Sequence, residues 1–167
     1  RQVMAPLADR YTAILRLLSV IGITGTKGKS STAYYLKYIL DEYLAEQGGP
    51  ESGIISSIDT YDGSERFESH LTTPEPLDLQ RHFAHAVAAG IPYLTMEVSS
   101  QALKYHRTLC TRFAAACFLN IGLDHISPIE HPDFEDTLLQ LRIFAQAEVG
   151  CVNLDCEHAG RVLAAAQ

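Results

Sequence analysis

Lys29 and Ser30 stand at the end of a run of glycines and threonines in the stretch SVIGITGTKGKSSTAYYLKYILDEYLAE, residues 19–46. Residues of these types in this order suit a phosphate. Glycines let the backbone curl so that successive N–H groups point at one anion. A helix that follows adds its unpaired first-turn N–H groups and the positive end of its dipole. Lys29 supplies a mobile point charge for β- and γ-phosphates, and the Ser30 hydroxyl is placed to ligate Mg²⁺. The strict form of such a loop, G-x-x-x-x-G-K-[ST], fits at Gly28, Lys29 and Ser30 but would put its first glycine at Ile23, which Gly22 and Gly25 flank.

An ATP site of this kind needs a further acid near the cation. Glu97 is the candidate, because it ends an apolar run just before Ser99 and Ser100 and so falls at the carboxyl end of a strand. Asp124 and His125 follow the next apolar run, and a metal or phosphate role is favoured for His125. Thr72, Thr73 and Pro74 place two hydroxyls on an extended segment, since the residue before proline avoids the helical region. Such hydroxyls can grip a polar substrate or simply shape a turn. Arg107 alone reads as a surface charge, and His82, His85, His106, His131 and His158 as surface or structural residues.

These residues need a scaffold, and the hydrophobic periodicity supplies one. Helical spacing covers 8–18, and strand-like runs cover 19–23, 53–58, 93–98, 113–119 and 151–154. A helix opens at Ser30 or Ser31, with Tyr35, Leu36, Ile39, Leu40 and Tyr43 forming its core-facing stripe, and stops at Gly48, Gly49 and Pro50. Residues 59–66 read as a turn, followed by a strand ending near His70 and Leu71. Further helices are expected over 76–89, with Pro76 in the first turn, from 132 or 133 to about 148, and from 157 to 167. Strands alternating with helices imply an α/β fold: a P-loop-type, mostly parallel sheet with helices on both faces. Ligands in such sheets bind at the carboxyl ends of the strands, where the loop after Ile23, Glu97 and the Asn120–His125 segment all fall.

The chain has 167 residues, 47% hydrophobic and 20% charged, with a net charge of −7. That is one domain's worth of chain with a sizeable core, and its acidity argues against nucleic acid as the main partner. No apolar run is long enough to span a membrane and no signal peptide is seen, so the expectation is a soluble, cytoplasmic protein. Cys110, Cys117, Cys151 and Cys156 form no CxxC pair and read as buried, reduced thiols.

Taken together, these stretches resemble the Mur ligase family. GITGTKGKSST is similar to that family's ATP loop, with Gly22, Gly25 and Gly28 at its spacing. LTTPEPLDLQ, MEVSSQALKYHR, FLNIGLDHISPIEHP and CVNLDCEHAGRVL resemble, in order, segments of the UDP-N-acetylmuramyl-tripeptide synthetase branch. The resemblance implies an ATP-dependent amide ligase of peptidoglycan synthesis. It would add an amino acid to a UDP-N-acetylmuramoyl dipeptide through an acyl phosphate, with ATP and Mg²⁺. By matching position it implies nucleotide contacts from Gly25, Thr26, Lys27, Gly28, Lys29, Ser30, Ser31 and Asn120. Ser30, Glu97 and His125 would serve as metal ligands, Lys29, Glu97 and His125 as the catalytic set, and Thr72, Thr73, Ser99 and Arg107 as substrate contacts.

Three departures stand out. Gln140 falls where the resemblance implies a carbamylated lysine that helps hold the second Mg²⁺, with Glu135 or Asp136 as nearby acids. Lys27 stands where asparagine is commoner, and the folylpolyglutamate synthetases, a sister branch with the same fold, often have lysine there. Ser-Pro-Ile-Glu-His, residues 127–131, replaces Asp-Tyr-His. Polyglutamate ligation and a degenerate nucleotide-binding partner are therefore alternatives. By the family's pattern, residues 1–18 are expected to be a lead-in from a missing N-terminal domain. Residues 19–167 would be a central domain truncated at its end, with the amino-acid-binding domain absent.

Overall fold

The structure is a computed structural model, and it describes residues 17–122 and 138–166. Asp124, His125, Glu135, Asp136 and nearly all of the helix expected over 8–18 lie outside the described residues.

The elements run in the order β1 (Ser19–Thr24), α1 (Lys29–Glu46), β2 (Gly53–Ile55), β3 (Asp59–Tyr61), β4 (Arg66–Glu68), α2 (Pro76–Ala88), β5 (Tyr93–Glu97), α3 (Ser100–Lys104) and β6 (Ala115–Phe118). A 3-10 helix (Leu138–Gln146), β7 (Gly150–Val152) and α4 (Ala159–Ala166) follow. Seven strands form one sheet in the order β4-β3-β2-β5-β1-β6-β7. The strands from β2 to β7 in this order pair in parallel, while β3 and β4 add antiparallel at one edge. This is the expected α/β sheet, with β1 at its centre between β5 and β6.

Side chains alternate across each strand, so the sheet divides its core in two. Val20, Ile55, Leu94, Met96, Ala116 and Phe118 share the larger cluster with Leu79 and Phe83 of α2 and Ile143 of the 3-10 helix. Ile23 and Ile54 face the other way, against Ala33 of α1. Helices thus cover both faces.

Gly22 is a packing residue of that larger core. A Cβ there would meet the Phe113 ring at 2.9 Å and Ile143 Cδ1 at 3.0 Å, so the first glycine of the family spacing makes room for Phe113 and the 3-10 helix rather than for a phosphate.

Four sequence expectations need correction. Tyr35, Ile39 and Tyr43 of α1 are exposed, and the buried positions are Ala33, Lys37 and Leu44. The true core stripe contains a lysine, which hides it from a search for apolar periodicity. Lys37 Nζ is satisfied by Asp41 at 2.7 Å, Glu51 at 2.8 Å and the Ser52 carbonyl at 3.0 Å. Second, residues 59–66 are no simple turn. They carry β3 and the start of β4, with the reversal confined to the residues between them. Third, the segment ending at Gln146 winds as a 3-10 helix where an α-helix is expected, and its three-residue turn stacks Gln140 over Ile143 and Gln146. Fourth, none of the four cysteines is buried, although all are free: Cys110 and Cys151 are exposed, Cys117 and Cys156 intermediate.

The Lys37 cluster makes an acid-sensitive joint. Burial alone would raise the Asp41 carboxyl, but hydrogen bonds from Lys37 and Ser52 outweigh it and hold the pKa below the ordinary value. A carboxylate held low in the folded state stabilises above its unfolded pKa, and that contribution disappears as pH falls through the folded one. The Asp41→Asn variant is therefore expected to be less stable than wild type near neutrality. In urea unfolding the gap should shrink as pH falls below the ordinary aspartate pKa of about 4. A gap that stays constant with pH would count against the joint.

Candidate functional site

Four strand ends converge at the carboxyl edge of the sheet. The loop after β1 is the centre. Gly25 has φ 147° and Gly28 φ 85°, and a Cβ on Gly25 would press on Leu119 Cβ at 3.1 Å and the Asn120 amide at 3.2 Å. Both glycines are thus required, one for close approach and one for the left-handed turn into α1. No side chain caps α1, so its first-turn N–H groups remain available to an anion.

The loop is held from β6. The Lys27 amide donates to Asn120 Oδ1 at 2.9 Å, and Asn120 Nδ2 donates to the Lys27 carbonyl at 3.0 Å. The Thr26 amide donates to the Asn120 carbonyl at 3.1 Å, and Thr26 Oγ1 accepts from the Gly122 amide at 3.0 Å. Asn120 and Thr26 therefore shape the cradle. Lys29 curls back over it, with Nζ donating to the Gly25 carbonyl at 2.8 Å and more weakly to Thr26 at 3.4 Å. Burial lowers the Lys29 pKa, against a smaller opposing pull from Glu97. The second effect puts the Glu97 carboxylate within electrostatic reach of the loop.

Glu97 is 1% exposed at the end of β5. Its Oε1 accepts from the Ser57 amide at 2.9 Å and from Ser57 Oγ at 3.2 Å, and Ser57 Oγ lies 3.0 Å from Ser30 Oγ. A relay of oxygens thus joins the loop serine to the acid. Ser57 is the residue that sequence reasoning missed. The available clue was its place just past β2, at the same carboxyl edge. A carboxylate with two hydroxyls is a hard-oxygen donor set of the kind Mg²⁺ takes.

Thr73, Ser99 and Arg107 come together beside Glu97, and each is engaged within the chain. Thr73 is fully buried; its Oγ1 donates to the Glu97 carbonyl at 2.9 Å and accepts from the Ser99 amide at 3.1 Å. Ser99 Oγ caps α3 by accepting from the Ala102 amide at 3.1 Å. Arg107 donates to the Thr73 carbonyl at 3.3 Å and pairs with Glu75 at 2.8 Å. Thr72 is partly exposed next to them, and Ser31 is exposed in the first turn of α1. Gln140 is 5% exposed and its Oε1 has no hydrogen-bond partner among the described residues.

Among the described residues, no helix is long and apolar enough to cross a membrane.

Comparison with known proteins identifies the family and the fold. The model of the Mur ligase middle domain matches residues 23–167. A UDP-N-acetylmuramoyl-L-alanyl-D-glutamate--L-lysine ligase of Enterococcus faecalis is 52% identical over 120 residues, covering 71% of this chain and 23% of the relative. A UDP-N-acetylmuramyl-tripeptide synthetase of Bifidobacterium longum is 46% identical over 144 residues, covering 85% of this chain and 27% of the relative. The chain thus spans about a quarter of the length of these curated relatives. A solved UDP-N-acetylmuramoyl-L-alanyl-D-glutamate--2,6-diaminopimelate ligase shares the fold, with a TM-score of 0.73 and 23% identity over 90% of this chain and 29% of that one.

Proposed function

The chain belongs to the Mur ligase family through its middle domain, and from that premise we propose that it binds and positions ATP in an amide ligase acting on a UDP-N-acetylmuramoyl dipeptide. The observation that carries this reading is the relay Ser30–Ser57–Glu97 beside an uncapped, glycine-shaped loop.

The reaction divides into two displacements. The substrate carboxylate attacks the γ-phosphorus and ADP leaves, giving an acyl phosphate. The amine of an incoming amino acid then attacks the acyl carbon, and inorganic phosphate leaves. In such phosphoryl transfers the protein contributes mainly positioning and charge neutralisation. The amides at the start of α1 cradle the β- and γ-phosphates, and Lys29 Nζ moves from the Gly25 and Thr26 carbonyls to the γ-phosphate. Ser30 and Glu97 are the described residues that would hold Mg²⁺, which neutralises phosphate charge when bound; His125 is the further proposed ligand. Thr72 and Arg107 contact the muramoyl peptide, while Thr73 and Ser99 keep that wall in place. We assign the reaction to the cytoplasm, where ATP is held.

Gln140 favours a second reading. It is neutral, so it cannot supply the anion that the family pattern implies at this position, and its buried Oε1 is unsatisfied among the described residues. On that reading the chain is a nucleotide-binding partner that has lost ligation.

One experiment separates these readings. Protein carrying this chain is supplied with ATP, Mg²⁺ and an amino-acid mixture, together with either UDP-N-acetylmuramoyl dipeptide or folate monoglutamate. Phosphate release with the muramoyl substrate is the expected result. Release with folate alone would replace it by polyglutamate ligation. ATP binding with no release on either would favour the degenerate partner.

A further inference from the structure

A second cluster of ionisable side chains lies at the opposite edge of the sheet. β3 runs antiparallel to β2, with Tyr61 beside Ile54, so the turn that follows Tyr61 falls at the amino ends of the parallel strands. The nucleotide loop sits at the carboxyl ends. Asp62 opens this turn and is fully buried. Its Oδ1 accepts from the amides of Ser64 at 3.0 Å and Glu65 at 2.8 Å. Its Oδ2 faces two imidazoles, His82 Nδ1 at 2.7 Å and His85 Nδ1 at 2.8 Å. The two histidines, three apart on α2, share one helix face.

Glu65 completes the group from the other end of the turn, and one ligating atom from each of the four residues lies within 4.8 Å of all the others. Its carboxylate otherwise meets Arg81 at 3.3 Å in a half-exposed pair, a contact of little energetic consequence. The two halves of the cluster cannot drift apart. Gly63 turns with φ 86°, and a Cβ there would meet Ala89 Cβ at 2.5 Å and Ile91 Cδ1 at 2.8 Å, so the turn is seated against the end of α2.

We propose that Asp62, Glu65, His82 and His85 form a binding site for a divalent transition-metal ion of the Zn²⁺ class, which fastens the β3–β4 turn to α2. Two carboxylates and two neutral imidazoles give four nitrogen and oxygen donors, the number Zn²⁺ takes in tetrahedral sites. Imidazole pairs are poor partners for Mg²⁺ or Ca²⁺. The amides on Asp62 Oδ1 hold the carboxylate in orientation, the supporting role that ligating groups in metal sites receive from their surroundings. Binding at both Nδ1 atoms moves each ring proton to Nε2, so the imidazoles stay neutral and the cation is balanced by the two carboxylates. The site lies apart from the nucleotide loop and does not rest on the ligase reading.

The test is a titration of the 167-residue chain with Zn²⁺ alone in competition with a chromogenic chelator, and with Co²⁺ followed by its visible absorption. The expected result is one tightly bound ion per chain, intense tetrahedral Co²⁺ bands, and no displacement by excess Mg²⁺. The His82→Asn/His85→Asn variant should bind about 100-fold more weakly. His85 is 29% exposed, and an asparagine there keeps an N–H donor for Asp62, so His85→Asn alone should weaken binding about tenfold while the metal-free chain still unfolds cooperatively, which separates ligand loss from misfolding. Replacing all four cysteines by serine should leave affinity as in wild type. Affinity equal in wild type and the double-histidine variant, or affinity lost with the cysteines, would overturn the assignment.

Discussion

Lys29→Ala is expected to lower ATP-dependent turnover by about a thousandfold while leaving the fold intact. Removing one preorganised donor from a transferring group costs about 10²–10³ in rate, and Lys29 is a full charge rather than a dipole. Its ammonium is partly desolvated, which is why burial lowers its pKa, and a desolvated charge acts on phosphate more strongly than one in water. The loop itself does not depend on it. Asn120 grips both the amide and the carbonyl of Lys27, and Gly122 holds Thr26. Melting temperature should therefore stay near wild type while kcat falls and ATP affinity weakens. Turnover within tenfold of wild type would remove the loop from the mechanism.

Glu97→Gln is the second large effect expected. The substitution keeps size and an acceptor for Ser57 but deletes the charge. Turnover should drop about a hundredfold, and half-saturation by Mg²⁺ should move to markedly higher concentration at fixed ATP. Nucleotide binding without Mg²⁺ should be unchanged or tighter, because a buried anion no longer opposes the phosphates. A Mg²⁺ half-saturation equal to that of wild type would show that Glu97 holds no cation.

Much of the sheet and the loop could be read from the sequence, because both leave local marks. Strands buried on two faces are mostly apolar runs, as YLTMEV shows with its single acid near the end, and a phosphate loop needs its glycines at fixed places. What stayed hidden depends on partners distant in the chain. Lys37 is buried only because Asp41, Glu51 and the Ser52 carbonyl meet it, and no periodicity search assigns a lysine to the core. Thr73 looks like a substrate hydroxyl until it donates to the Glu97 carbonyl at the strand end and accepts from the Ser99 amide. Ser57 is an ordinary turn serine until β2 and β5 bring it to Glu97. His82 and His85, read as surface or structural, acquire a common partner only once the chain reverses at Gly63.

The reciprocal bonds between Asn120 and Lys27 bear on how fast and at what entropic cost nucleotide is captured. A glycine-rich loop free in solution samples many backbone states, and ordering each residue costs about 1–2 kcal/mol. Here β6 has already met that cost during folding, since Asn120 fastens the loop across 93 residues of chain. An arriving polyphosphate needs only to draw Lys29 away from two carbonyls. Capture should then proceed as a single fast phase, without the slow ordering step that a disordered loop would impose.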